Sequence, residues 1–126
     1  MKQSKEPRKI LLVDDETAVL DVTTNMLETL GYKVTATSSS VNALDLFSTD
    51  PDQFDLVMTD VTMPNITGDK LAKMIMEIRS GMPIILFSGY SNDITEEKAK
   101  EMGIRKFLMK PLNLKELSKA ISKVFD

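Results

Sequence analysis

The sequence predicts an α/β fold in which a five-stranded parallel sheet is covered by helices on both faces. Three observations carry that prediction. Short apolar or β-branched runs alternate with helical stretches five times along 126 residues, with short connections throughout. Runs such as Leu11-Leu12-Val13 and Ile84-Ile85-Leu86-Phe87 are continuously apolar instead of alternating, the pattern of strands buried on both faces. The intervening stretches repeat apolar residues at three- and four-residue spacing, which gives each helix one face for the sheet.

Taken in order, residues 1–8 form a polar N-terminal tail and residues 9–126 a single domain. The run Lys9 to Val13 is a central strand that ends in Asp14-Asp15-Glu16. A helix follows from about Glu16, with Val19, Val22, Met26 and Leu30 facing inward and Gly31 as its stop. Lys33 to Ala36 is a short strand. Ser38 to Ser40 cap a helix carrying Val41, Leu44 and Phe47, which stops before Asp50-Pro51. The third strand, from Leu56, ends in the carboxylate of Asp60 and is closed by the Met63-Pro64-Asn65 turn. Gly68 to Arg79 is helical through Leu71, Met74, Ile75 and Ile78, and Gly81-Met82-Pro83 breaks it ahead of the fourth strand, Ile84 to Phe87. Ser88-Gly89-Tyr90-Ser91 is the loop at that strand's tip. Thr95 to Met102 is a short, highly charged helix, expected to be mobile or partner-bound, with a solvated face as the plain alternative. Lys106 to Met109 makes the fifth strand, reaching Lys110-Pro111. Asn113 and Glu116 cap a last helix whose Leu114, Leu117, Ile121 and Val124 face inward. The nine methionines read mostly as core filler.

Composition removes several function classes. No apolar run approaches the roughly 20 residues that span a bilayer, and the polar opening is unlike a signal peptide, so a cytoplasmic location without membrane insertion is expected. Cysteine is absent, which excludes thiolate metal ligands and thiol nucleophiles. Histidine is absent too, so any imidazole chemistry belongs to a partner. A formal charge of −3 and a pI near 5.0 provide no electrostatic footprint for direct nucleic-acid binding.

What remains is a set of polar residues at strand tips: Asp14 and Asp15 from the first, Asp60 from the third, Ser88 from the fourth and Lys110 from the fifth. Each has an ordinary reading, as helix cap, turn former or solvated lysine. Jointly they fall at the C-terminal edge of the sheet, where open α/β folds form sites. Two carboxylates about 5 Å apart repel by about 3 kcal/mol at an effective dielectric near 20, so an ionised cluster needs a cation. An all-oxygen donor set suits Mg²⁺, or Mn²⁺, which keeps waters and accepts a phosphate oxygen. Lys110 supplies a fixed positive charge and Ser88 a hydroxyl, both suited to a phosphoryl group in transfer. Asp60 is then the acceptor, forming an acyl phosphate.

These residues resemble the receiver domain of two-component response regulators, a similarity covering residues 9–125. It is carried by Leu11-Leu12-Val13-Asp14-Asp15-Glu16, Thr59-Asp60-Val61-Thr62-Met63-Pro64, Gly68, Phe87-Ser88-Gly89 and Phe107-Leu108-Met109-Lys110-Pro111. The resemblance implies a flavodoxin-like sheet of order 2-1-3-4-5. It implies that Asp60 takes phosphate from a phosphohistidine of a sensor histidine kinase or histidine phosphotransfer domain. It assigns Mg²⁺ to Asp14 or Asp15, Asp60 and the backbone carbonyl of Thr62, and phosphoryl contacts to Ser88 and Lys110. It further implies a switch in which Ser88 moves toward the phosphate and Phe107 turns inward. That change alters the face made by the fourth helix, fifth strand and fifth helix, where an output domain or effector would bind. The Lys110–Pro111 bond is expected to be cis. Thr62 and Tyr90 stand where phosphate lifetime is tuned, and replacing Tyr90 by a small residue is expected to speed dephosphorylation. The stretch from Met58 to Lys110 also looks like receivers of hybrid sensor kinases.

Three rivals compare poorly. A flavin module would need a Ser/Thr/Gly-rich loop where Asp14-Asp15-Glu16 stands. An aspartyl phosphatase needs an acid two residues beyond its nucleophile, where this chain has Thr62. A degenerate receiver used only for protein contacts would lack pocket residues that are all present here.

Overall fold

The computed structural model describes residues 7–89 and 94–126. Its elements are β1 (Lys9–Val13), α1 (Thr17–Thr29), β2 (Lys33–Thr37), α2 (Ser40–Thr49), a 3-10 turn (Pro51–Gln53), β3 (Leu56–Asp60), α3 (Gly68–Ile78), β4 (Ile84–Ser88), α4 (Glu96–Glu101), β5 (Lys106–Met109) and α5 (Leu114–Phe125). The five strands are parallel and ordered β2-β1-β3-β4-β5. This is the flavodoxin-like (βα)5 arrangement expected from the sequence. The 3-10 turn was not foreseen; Pro51 opens it, with φ already fixed near the helical value.

Because side chains alternate across each strand, the sheet divides the core in two. Leu11, Val13, Val57, Ile84 and Leu86 point to one face, where Phe47 of α2, Leu71 and Ile75 of α3 and Ala99 of α4 cover them. Ile10, Leu12, Leu56, Met58, Ile85 and Phe87 point to the other, under Leu20 and Leu27 of α1 and Leu117 and Ile121 of α5. Helix starts are fixed by side-chain caps: Ser39 Oγ accepts from the Asn42 amide (3.0 Å), Thr95 Oγ1 from Lys98 (3.0 Å) and Asn113 Oδ1 from Glu116 (2.8 Å).

Phe47, Leu71, Ile75, Leu117 and Ile121 are buried as expected, and Met26, Leu30, Leu44 and Val124 pack against the core, but some helix positions differ. In α1 the buried stripe is Leu20, Thr23 and Leu27, and Val22 is 57% exposed. That stripe has the same spacing shifted by one residue, and a threonine fills a place where the sequence offers a valine nearby. Val41, Met74, Ile78 and Leu114 are likewise exposed, not inward-facing, while Ala43, Ala72 and Ala120 take the close positions against the sheet. Small residues win there because they let the helix axis approach the sheet closely. The fourth helix runs between the caps Thr95 and Met102, as expected. It is anchored through Ala99 and the flanking Ile94 and Ile104, all buried.

Candidate functional site

Register brings the expected tips together. Thr59 pairs with Val13 and Asp60 with Phe87, and the Val61 amide donates to the Phe87 carbonyl (3.0 Å). Ser88 pairs with Met109, and the Lys110 amide donates to the Ser88 carbonyl (2.9 Å). The chain therefore leaves β1, β3, β4 and β5 on one edge with Asp14, Asp60, Ser88 and Lys110 at neighbouring exits. The Lys110–Pro111 bond is cis.

A cleft of about 460 Å³ opens there, lined by Asp15, Glu16, Asp60, Thr62, Gly89 and Lys110. Asp14 lies buried beneath these residues: its side chain is 1% exposed, and Oδ2 lies 3.0 Å from Lys110 Nζ. That contact is a charge pair, and Oδ2 has no other partner among the described residues. Asp14 Oδ1 accepts from the Glu16 amide at 3.0 Å, which turns the chain into α1. Lys110 Nζ also donates to Glu16 Oε1 at 3.0 Å and lies 3.4 Å from Asp60 Oδ1. One oxygen from each of Asp14, Asp15 and Asp60 lies within 4.8 Å of the others.

Gly68 explains how close the Asp60 backbone comes to α3. Its amide donates to the Val61 carbonyl (2.8 Å), and a Cβ at this position would fall onto the Asp60 carbonyl oxygen. Only glycine permits that approach.

The electrostatics follow first from burial and then from the crowding of acids around one amine. Burial pushes the Asp60 carboxyl up to about 6, the Asp14 charge adds to that, and Lys110 offsets only part. Burial also raises Asp14, against the lowering effects of the Glu16 amide and Lys110. For Lys110 burial favours the neutral amine, but Glu16 and Asp14 outweigh it and hold the ammonium above its ordinary range. A paired acid normally titrates low, so two raised acids beside a raised lysine mark a site where burial, aided by neighbouring negative charge, outweighs the one amine. The donor set is all oxygen, and one buried oxygen has no partner but Lys110 among the described residues. Both features fit a hard divalent cation.

Other expected residues are placed less directly. Ser88 is buried at the β4 tip, next to the Gly89 that lines the cleft. Thr62 lines the cleft and is exposed. Phe107 is half-buried on β5, against the core and beside a separate hollow shared with Glu96, Lys100 and Arg105. Tyr90 lies outside the described residues. Glu16 is the member that the sequence did not single out: the helix start absorbed it, and its partner is 94 residues away.

Comparison with known proteins agrees with this geometry. The family model described as the response regulator receiver domain matches residues 10–122. Among curated proteins, the chain is 35% identical over 109 residues to the two-component response regulator ORR24 of Oryza sativa, covering 86% of this chain and 17% of that protein. It is 38% identical over 118 residues to the DNA-binding transcriptional regulator NtrC of Azospirillum brasilense, covering 93% and 24%. The chain thus spans about a fifth of the length of these relatives. A crystal structure of a response regulator receiver domain protein from Clostridium thermocellum superposes with a TM-score of 0.87 at 32% identity, covering 93% of each chain. With fold, clustered strand-end acids and family model in agreement, the chain belongs to the response regulator receiver domain family of two-component signalling.

Proposed function

We propose that Asp60 accepts a phosphoryl group from a phosphohistidine on a sensor histidine kinase or histidine phosphotransfer domain, and that the phosphorylated chain signals through its α4-β5-α5 face. The observation that carries this reading is the convergence of Asp14, Asp60 and Lys110 within 3.4 Å contacts at one sheet edge. The chain has no histidine, which makes the donor imidazole a partner's contribution. No described helix is long and apolar enough to cross a membrane, which suits a cytoplasmic encounter with that partner.

In the transfer, a carboxylate oxygen of Asp60 forms a P–O bond as the P–N bond to the donor imidazole breaks. The bonding pair leaves on the ring nitrogen, which takes a proton from solvent. Hydrolysis reverses the load: water attacks phosphorus, the P–O bond to Asp60 breaks, and inorganic phosphate departs. Lys110 places a charge on the incoming phosphoryl oxygens and Ser88 offers its hydroxyl. Asp14, Asp15, Asp60 and the Thr62 carbonyl would hold Mg²⁺, or Mn²⁺, which neutralises phosphoryl charge when bound. Thr62 lines the same cleft, and Thr62 and Tyr90 are the residues assigned to tuning phosphate lifetime. Phosphate brings about 1.5 to 2 negative charges, and it draws Ser88 inward and lets Phe107 follow.

The test is intact mass after incubation with Mg²⁺ and phosphoramidate. Wild type is expected to gain one phosphoryl mass and Asp60→Asn none. An Asp60→Asn chain that still gains it places the acceptor elsewhere.

A further inference from the structure

Lys110 is held from two directions. Asp14 and Asp60 face it from the buried side, at 3.0 and 3.4 Å, while Glu16 takes an aligned hydrogen bond from the rim at 3.0 Å. Glu16 is unlike the other acids. Its side chain is 63% exposed, it forms no part of the Asp14-Asp15-Asp60 cluster, and it makes no capping bond to α1 although it occupies the N-cap position. Its described side-chain partner is the amine. The ammonium carries three N–H donors, and each one directed at Glu16 is withheld from an oxygen at Asp60.

We infer that Glu16 is a positioning residue that tethers the Lys110 amine at the rim of the cleft and must release it before the amine can serve a phosphoryl group on Asp60. The inference rests on the phosphoacceptor reading and adds a control on its rate. A phosphoryl group carries more charge than one carboxylate and lies deeper, so it wins the amine once present. Before that, Glu16 competes. Its exposure limits the strength of the tether to that of a hydrogen-bonded surface pair, so its removal changes the rate severalfold and not by orders of magnitude.

Two substitutions at Glu16, each with and without Lys110, separate the tether from simple repulsion of an anionic donor. Glu16→Gln removes the charge and Glu16→Asp keeps it but falls one methylene short of the amine; each is also made in a Lys110→Ala background. Phosphorylation by phosphoramidate, read by intact mass over time, is expected to be about two- to fivefold faster in both Glu16 single variants. It is expected to be unchanged by either substitution when Lys110 is alanine. A Glu16→Asp chain as slow as wild type, or an acceleration by Glu16→Gln that persists without Lys110, would overturn the tether and leave only repulsion. An NMR contact between the Lys110 ε-methylene and Glu16 γ-methylene protons is expected in the resting chain, weakening with a fluoroberyllate phosphoryl analogue; its absence at rest also overturns the proposal. A wild-type chain that gains no phosphate sinks the phosphoacceptor reading itself. One that gains it, with both Glu16 variants at wild-type rate, sinks the tether alone.

Discussion

The two ends of the sheet handle charge in opposite ways. Where the strands begin, charged groups meet backbone partial charges that lack a strand to pair with. Arg79 Nη1 donates to the carbonyls of Pro51 (3.0 Å) and Phe54 (3.1 Å), Arg105 Nη2 to that of Gly81 (3.3 Å), and Asp55 Oδ2 accepts from the Lys9 amide (2.8 Å). Where the strands end, three carboxylates crowd one ammonium, a fourth stands close by, and a buried oxygen of Asp14 has no partner but that ammonium among the described residues. The entry edge is complete as it stands. The exit edge is complete only with added positive charge, and local rules broken together at one place are the mark of a functional site.

The largest expected effect tests how rigidly the exit edge is built. Gly68→Ala would drive a methyl group into the Asp60 carbonyl, so either β3 or the first turn of α3 must move. A loss of about 3 kcal/mol in urea unfolding is expected, together with slower phosphorylation of Asp60. A variant as stable as wild type would show that the acceptor strand and α3 are loosely joined.

Burying acids beside one another has its own signature in metal-free buffer. The Asp60 carboxyl moves from an ordinary 3.8 to about 6 on folding, so the folded chain binds more protons than the unfolded one between those values. Stability therefore falls as pH rises from about 4 to about 6 and is level above, by about 3 kcal/mol for this group. Asp14 shifts in the same direction. Asp60→Asn removes that slope and is expected to be more stable than wild type at pH 7 by a similar amount. A wild-type-minus-variant difference that rises with pH would show that the acids are adequately paired, and would erase the contrast between the two ends.

Supplying the missing charge is the next test. Mg²⁺ at a hundredfold above its dissociation constant is expected to stabilise the wild-type chain by about 2.7 kcal/mol, and chelation to reverse this. Asp14→Asn is expected to lose most of the response. A thermal shift that is the same in Asp14→Asn would place the ion away from the cluster.

The two ends also differ in how far the sequence reveals them. Continuous apolar runs and helix breaks showed the parallel sheet, and four strands ending in Asp14, Asp60, Ser88 and Lys110 showed the exit edge, because each signal is local and the topology does the rest. The choice among apolar helix residues was partly hidden. Val22 and Leu20 are equally apolar, and only packing against the sheet chooses between them. The Glu16–Lys110 bond was hidden because it joins the two ends of the chain. At the entry edge, nothing in the sequence marks Arg79 as the donor for two carbonyls more than 20 residues upstream.

That arginine gives the smallest effect and the cleanest control. Arg79→Ala leaves the carbonyls of Pro51 and Phe54 without their donor. Both bonds are part-buried, so water replaces the guanidinium only in part, and a loss of about 1 to 2 kcal/mol in urea unfolding is expected. Arg79→Lys should recover a fraction, since one ammonium on a flexible stem does not reproduce a planar fork. Neither change touches the exit edge, so phosphorylation of the folded variants should match wild type. If Arg79→Ala slowed phosphoryl transfer while the chain stayed folded, strain would be passing along β3 from Phe54 to Asp60, and the two ends would have to be treated as one coupled unit.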